Sequence, residues 1–248
     1  ALEPLRDYGV QLERGYWRIY PDETLAAHVL GFVDLERRGQ YGVEGYHDDA
    51  LRGQDGEWYG VRGPVGQQLM ATLGGYQPPQ DGANLTLTLD RNIQREAERI
   101  LWEGVAANNA TSGNIIVLDP RSGAILAMAN FPSYFPGEYW YVASNEEHRN
   151  SSIAALYEPG SVLKTMTLAA ALEAKVILAT DTYDDRGSIV VGEQEVKNAD
   201  RRAHGITTMT ELLAYSRNVG AAHVASLLGP TRFYEMFRRF GFGDLFCI

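Results

Sequence analysis

The chain has 248 residues, enough for one large domain or two smaller ones with proper cores. Its 22 basic and 32 acidic side chains leave a formal charge of −10, spread rather than blocked and without a basic stripe, which argues against nucleic-acid binding. No apolar run approaches the length of a membrane span, no signal peptide is visible, and the single cysteine, Cys247, excludes an internal disulfide and reads as a small buried apolar residue. The chain starts without Met, so a trimmed or processed N-terminus is expected.

Residues 1 to about 80 are rich in Gly, Tyr, Asp and Arg and poor in long apolar patterns. The stretch from Tyr16 to Tyr20, closed by Pro21, predicts a short strand, and Leu25 to Val33 a brief apolar segment. Turn signals recur at Arg38-Gly39, Tyr41-Gly42, Arg52-Gly53, Asp55-Gly56 and Arg62-Gly63-Pro64. Together they predict an irregular β-rich module with extended hairpins. Pro78-Pro79 followed by Asp81-Gly82 marks a boundary, giving expected domains of 1–80 and 81–248.

Beyond it the pattern changes. Leu85-Thr86-Leu87-Thr88-Leu89 alternates with period two, which predicts a half-buried strand. Asp90 is placed to cap a helix whose apolar positions are Ile93, Ala97, Ile100, Leu101 and Val105. That helix is expected to break between Asn108 and Gly113. Asn114 to Leu118 and Ala124 to Met128, joined by Asp119-Pro120-Arg121-Ser122-Gly123, predict a hairpin. Both runs are nearly continuous in apolar residues, so helices are expected over both faces of that sheet. Phe131 to Asn150 is aromatic, carries two prolines and reads as a loop.

Next comes Tyr157-Glu158-Pro159-Gly160-Ser161-Val162-Leu163-Lys164, running into the apolar helical pattern Thr165 to Glu173. Pro159 and Gly160 do not suit a helix interior, so Ser161 is expected near a helix start with Lys164 one turn later on the same face. A serine hydroxyl needs a base to become a nucleophile, and lysine serves only when neutral. Burial and the positive end of a helix both lower a lysine pKa, and the helix start offers N–H groups to an oxyanion. A bare Ser-x-x-Lys arises by chance roughly once in a chain this long, so the weight rests on its setting. The chain has only three lysines, Lys164, Lys175 and Lys197.

Thr180 to Arg202 is polar and acidic, with a short strand expected at Ser188 to Val191. Thr208 and Glu211 form a capping-box pattern opening a helix through Leu212 and Leu213. Ser216-Arg217-Asn218 falls at the junction with a second helical segment, Ala221 to Leu228, which stops at Gly229-Pro230. A last amphipathic helix carries Phe233, Phe237 and Phe240. In this order Ser216 can relay a proton between Lys164 and a leaving group, and the Asn218 amide can bind a substrate amide. The plain alternative for the triplet is a helix-end cap.

Ser161-x-x-Lys164 followed by Ser216-x-Asn218 resembles the pattern of the penicillin-recognising serine acyltransferases. Leu85 to Gln94, Val117 to Met128, Tyr157 to Ser161 and Ala214 to Gly220 are similar to a class B penicillin-binding protein transpeptidase domain. Tyr20-Pro21, Gly31-Phe32-Val33, Gly42-Val43-Glu44 and Leu51-Arg52-Gly53 resemble that family's N-terminal pedestal. The resemblance covers most of residues 16–248. It implies an α+β transpeptidase domain of the penicillin-binding and serine β-lactamase type, preceded by a β-rich pedestal. It also implies D,D-transpeptidase activity outside the cytoplasmic membrane, without a cofactor or metal. By the same resemblance Ser161 attacks the penultimate D-Ala carbonyl of a peptidoglycan stem peptide and is acylated by β-lactams. Lys164 is the base, and Ser216 and Asn218 shape the second wall. Partners implied are stem peptides, β-lactam antibiotics and membrane proteins of wall synthesis reached through the pedestal.

The family's third motif, Lys-Thr/Ser-Gly, is absent, and Phe240 to Ile248 looks like the middle of the domain. A fragment of a longer chain, or completion by another segment, is therefore expected, and the substrate-carboxylate site and one oxyanion donor have no assigned residue. Two rival readings stand beside this one. A serine β-lactamase needs a glutamate after the second motif, where only Glu235 is available. A non-catalytic wall-synthesis scaffold fits the missing third motif. The five histidines, His28, His47, His148, His204 and His223, show no metal-ligand spacing.

Overall fold

The structure is a computed structural model that describes residues 17–58, 61–62, 68–69 and 75–244. Tyr16, Gly63, Pro64 and Cys247, each part of an expectation above, lie outside the described residues. The chain divides into two compact units, Ala1–Leu156 and Tyr157–Ile248.

The first unit opens with short elements: α1 (Ala27–Leu30), β1 (Phe32–Val33), β2 (Gly39–Gln40), α2 (Gly42–Tyr46) and α3 (Asp48–Leu51). Four more two-residue strands follow, β3 (Glu57–Trp58), β4 (Val61–Arg62), β5 (Gln68–Leu69) and β6 (Tyr76–Gln77). They pair antiparallel as β1–β2, β3–β6 and β4–β5, which is the irregular hairpin module expected. Residues 17–20 are not a strand. Tyr20 is held instead by its hydroxyl, which accepts from the Val33 N–H at 3.0 Å.

Aromatic rings supply the core here. Phe32 stacks on Tyr139 with centroids 4.1 Å apart, and Tyr134 and His148 close around the same ring. The Tyr134 hydroxyl donates to the Ala27 carbonyl at 3.0 Å, and His28 lies edge-on to the Tyr134 ring. The segment from Phe131 to Asn150 that supplies these rings is mostly irregular, with 3₁₀ turns at Pro136–Tyr141 and Asn145–His148 and a short helix, α5 (Ser151–Ala154), after it.

The expected long helix is α4 (Arg91–Ala107), and Asp90 caps it by accepting from the Asn92 and Ile93 N–H groups. It packs on the hairpin β7 (Gly113–Leu118) and β8 (Ile125–Phe131) through Ala97, Leu101 and Val105 against Ala127 and Ala129. Two expectations fail. Leu85 to Leu89 forms no strand. Only the Asp90 N–H, to the Leu126 carbonyl, and the Thr88 hydroxyl, to the Ile125 carbonyl, tie its end to β8, so the alternation lacks a ladder to exploit. Nor are both faces of the hairpin covered across its width: β8 is buried on both sides from Ala127 to Asn130, with α4 against Ala127 and Ala129 and α5 holding Asn130 through Ser151 and Ser152, but β7 is not. β7 alternates between half-buried and exposed, and Ile116 and Leu118 face outward.

The helix also buries a polar residue on the face it shares with Ala97, Leu101 and Val105. Gln94 accepts from the Met128 N–H at 2.7 Å and donates to the Met128 carbonyl at 3.1 Å. A carboxamide carries a donor group and an acceptor side by side, so it completes both backbone groups of a strand residue, and the second hydrogen of Nε2 goes to Glu98 Oε1 at 2.7 Å.

The second unit contains α6 (Leu163–Glu173), then β9 (Thr182–Asp185), β10 (Ser188–Val191), β11 (Gln194–Lys197) and β12 (Gly205–Thr208). α7 (Met209–Ala214), α8 (Asn218–Leu228) and α9 (Pro230–Arg239) complete it. β10 pairs with β11, and β9 pairs with the distant β12, both antiparallel. The predicted strand at residues 188–191 is present, whereas β9, β11 and β12 were hidden in polar sequence. Thr208 and Glu211 form the reciprocal capping box at the start of α7. The core consists of Leu168, Ala171, Ile177, Tyr183, Met209, Leu212, Val219 and Val224.

Candidate active site

Gly160, with φ +58°, turns the chain into a single 3₁₀ turn, Gly160–Val162, that runs straight into α6. A side chain at that φ would be strained, and Gly meets the requirement without cost. Ser161 lies exposed on this turn, and Lys164 is half-buried in the first turn of α6. α6 buries Thr167, Leu168, Ala170 and Ala171, so the helix is fixed to the core through the face that follows the motif.

The second pair arrives from 52 residues away in sequence. α7 ends in a Schellman motif: the Ser216 N–H donates to the Leu213 carbonyl at 3.1 Å and the Arg217 N–H to the Leu212 carbonyl at 2.9 Å. Its left-handed position, usually glycine, is taken by Ser216 with φ 53°. This conformation turns both the carbonyl and the hydroxyl of Ser216 toward Lys164. α8 starts two residues later at Asn218.

Lys164 Nζ donates to the Ser216 carbonyl at 2.6 Å, lies 3.0 Å from Ser216 Oγ, and donates to Asn218 Oδ1 at 2.6 Å. The orientation of the Asn218 amide is fixed from its other end, where Nδ2 donates to the Lys197 carbonyl at 2.9 Å. The structure therefore brings Lys164, Ser216 and Asn218 together. Among the described residues no hydrogen bond joins Ser161 Oγ to Lys164.

These three contacts suit either protonation state of the lysine. The Ser216 carbonyl and Asn218 Oδ1 only accept, so they occupy two N–H bonds in both states. Ser216 Oγ can accept from an ammonium or donate to the lone pair of a neutral amine. Burial pushes the Lys164 pKa below its ordinary 10.5, toward the state a base requires. The arrangement is a proton-accepting amine with an exposed hydroxyl one helical turn away and a second hydroxyl in contact.

Several contributors to the site were not legible in the sequence. Arg217, read only as the middle of the triplet, donates to Asp200 Oδ2 at 3.0 Å and lies over the Tyr215 ring, 5.2 Å from its centroid. His204 shares the same Asp200 oxygen at 2.9 Å. Asn198 accepts from the Val219 N–H at 3.1 Å. Their one trace in the sequence is the polar, acidic character of Thr180 to Arg202. Glu235, on which the β-lactamase alternative depends, is an exposed residue of α9. Among the described residues no group of three His, Cys, Asp or Glu side chains is placed to hold a metal ion.

Comparison with known proteins decides the family. Residues 113–246, more than half of the chain, match the penicillin binding protein transpeptidase domain, and residues 4–87 match the penicillin-binding protein dimerisation domain. The chain belongs to the class B penicillin-binding proteins. Stage V sporulation protein D of Bacillus subtilis is 33% identical over 237 residues, covering 95% of this chain and 37% of that protein. Penicillin-binding protein PbpB of Mycolicibacterium smegmatis is 34% identical over 234 residues, covering 94% of this chain and 36% of the relative. Penicillin binding protein 3 of Mycobacterium tuberculosis, solved with aztreonam, superposes with a TM-score of 0.77 at 30% identity over 91% of this chain and 46% of that one. The chain thus spans less than half the length of each of these relatives. The mixed helix and sheet content agrees with the expected α+β penicillin-binding fold.

Proposed function

We propose that this chain carries the nucleophile and base of a peptidoglycan D,D-transpeptidase acting through a serine acyl-enzyme. The observation that supports the reading most is the grip of the Ser216–Asn218 segment on Lys164, one turn from an exposed serine at a helix start. Ser161 Oγ attacks the penultimate D-Ala carbonyl of a stem peptide while neutral Lys164 Nζ takes its proton. The tetrahedral oxyanion collapses, the C–N bond breaks, and the proton passes through the Ser216 hydroxyl to the leaving D-Ala amine. An amine of a neighbouring stem then attacks the Ser161 ester, returning the proton to Ser161 and forming the cross-link. The Asn218 amide orients the substrate backbone. β-Lactams acylate the same oxygen, in keeping with the aztreonam-bound neighbour.

In this reading residues 1–80 form the pedestal and 81–248 the transpeptidase portion. The site works on the outer face of the cytoplasmic membrane, with wall-synthesis membrane proteins contacting the pedestal. No helix among the described residues is long and apolar enough to cross a membrane.

The test is an intact-mass spectrum of the chain before and after penicillin, with the adduct mapped by peptide. One adduct on Ser161, lost in Ser161→Ala, is expected. An adduct at another residue, or an unmodified chain, would sink the acyl-transfer reading for this chain.

A further inference from the structure

Beneath the site lies a carboxylate with no part in the reaction above. Asp185, at the end of β9, is completely buried. Its Oδ1 accepts from the Gly187 N–H and from Asn198 Nδ2, both at 2.9 Å, and its Oδ2 lies 2.9 Å from the same Nδ2 and 3.4 Å from the Tyr183 hydroxyl. Asn198, also buried, follows the end of β11. A carboxylate offers acceptors only, so it compels Asn198 to present its amide nitrogen to β9 and its oxygen to the other side. There Asn198 Oδ1 accepts the N–H of Val219, in the first turn of α8. The preceding residue of the same strand end, Lys197, accepts Nδ2 of Asn218 through its carbonyl at 2.9 Å. Two adjacent residues, Lys197 and Asn198, therefore grip two adjacent residues, Asn218 and Val219. The direction of that grip is set by the acceptors around Asn198 Nδ2, the Asp185 carboxylate with both oxygens at 2.9 Å and the Arg202 carbonyl at 3.1 Å. Gly220 completes the seat: a Cβ there would come within 2.7 Å of Leu212 Cδ1 and collide with the Tyr183 ring.

We propose that Asp185 and Asn198 are positioning residues of the serine site, fixing the start of α8 so that Asn218 Oδ1 meets Lys164. The inference rests on the acyl-transfer reading of Ser161, Lys164, Ser216 and Asn218. In Asp185→Asn the new amide nitrogen can face Asn198 Nδ2, and turning Asn198 to relieve that clash sets its nitrogen against the Val219 N–H. A displacement of this kind passes directly to Asn218, and misplacement by about 1 Å near reacting groups slows reactions on the order of 10²-fold. Exchanging the two residues, Asp185→Asn with Asn198→Asp, restores a donor facing an acceptor between them and returns an acceptor to Val219, while giving up the 3.1 Å hydrogen bond from position 198 to the Arg202 carbonyl, so the rescue is expected to be partial.

The experiment compares wild type, Asp185→Asn, Asn198→Ala and the exchanged double variant in the same chain. Penicillin acylation of Ser161 is separated into its binding and chemical steps, and hydrogen exchange is followed at the Val219 amide. The expected result is a chemical step slowed in both single variants with binding little changed, faster Val219 exchange, and partial recovery of both in the double variant. A merely structural carboxylate would lower the melting temperature without a selective loss in the chemical step and without rescue by exchange. Wild-type acylation and Val219 protection in the single variants, or a double variant no better than they are, overturns the proposal. If Asp185→Asn does not fold, Asn198→Ala decides by the same two readouts. If the wild type forms no Ser161 adduct, the functional reading fails, and Val219 exchange alone still decides whether Asp185 and Asn198 hold α8.

Discussion

The two units bury polar groups for opposite ends. In the aromatic cluster of the first, His28 and Tyr134 sit among Phe32, Tyr139 and His148, and the Tyr134 hydroxyl and His28 Nε2 are each absorbed by a single backbone partner. Tyr134 donates to Ala27, and His28 Nε2 meets the Glu147 carbonyl at 2.9 Å. Burial pushes the Tyr134 hydroxyl above its ordinary range and the His28 imidazole below its own, so both are kept uncharged. In the second unit a directed series runs from Asp185 to Asn198, from Asn198 to the Val219 N–H beside Asn218, and from Asn218 and Ser216 separately to Lys164. The contrast teaches that burial alone makes a titratable group inert, and that a directed series of donors and acceptors keeps one poised.

The sharpest way to break this contrast is Lys164→Met, which keeps the apolar stem and removes the amine. General-base removal costs about 10²–10⁴-fold in rate, so Ser161 acylation should fall by that factor while melting changes little. Acylation of the unaltered chain should also rise with pH, because the neutral amine is the base. Its midpoint should lie below the ordinary lysine value of 10.5, since burial lowers the Lys164 pKa. A rate that is flat across the alkaline range would remove Lys164 from that role.

In the first unit, Phe32→Ala should cost about 3–5 kcal/mol by opening a cavity among the rings, read by denaturant unfolding, and should leave acylation by the second unit intact. Gly220→Ala tests the seat of α8 by overpacking. A loss of about 1–3 kcal/mol is expected, with slowed acylation. Asp90→Ala removes only the cap of α4 and should cost about 1 kcal/mol with no effect on acylation.

The histidine comparison has a sign of its own. The folded state disfavours protonated His28, so the unfolded chain takes up the proton first as pH falls below 6.5. The contribution of His28 to stability is fully present above that pH and declines as pH falls toward the lowered folded value. Hydrogen exchange around Phe32 should quicken in this window, and His28→Phe should flatten the response. An unaltered profile in that variant would assign the acid sensitivity to another group.

What could be read from sequence follows from the distance over which each feature acts. Ser161 and Lys164 lie on one turn, Asp90 and the Thr208–Glu211 box act within three residues, and the Asp119–Gly123 turn joins adjacent strands, so local pattern was enough. The Ser216–Asn218 segment carried a motif, but its contact with Lys164 depends on how α7 ends. Asp185 and Asn198 lie in polar sequence with no periodicity, and the pairing of β9 with β12 that frames them is non-local. Gln94 was passed over because a helix-face reading counts apolar residues and misses a carboxamide that completes a strand. Leu85 to Leu89 misled for the converse reason: alternation describes one side of a sheet and does not supply the neighbouring strand.

Ser216 has a thermodynamic consequence of its own. A side chain at the left-handed end of a helix is held at some cost, on the order of 1 kcal/mol, that glycine would not incur. Ser216→Gly should therefore melt later than the natural chain while losing the hydroxyl that faces Lys164, giving a sturdier protein that acylates poorly. Selection for thermal robustness alone would drift toward glycine at this position, and selection for turnover would hold serine there against that drift.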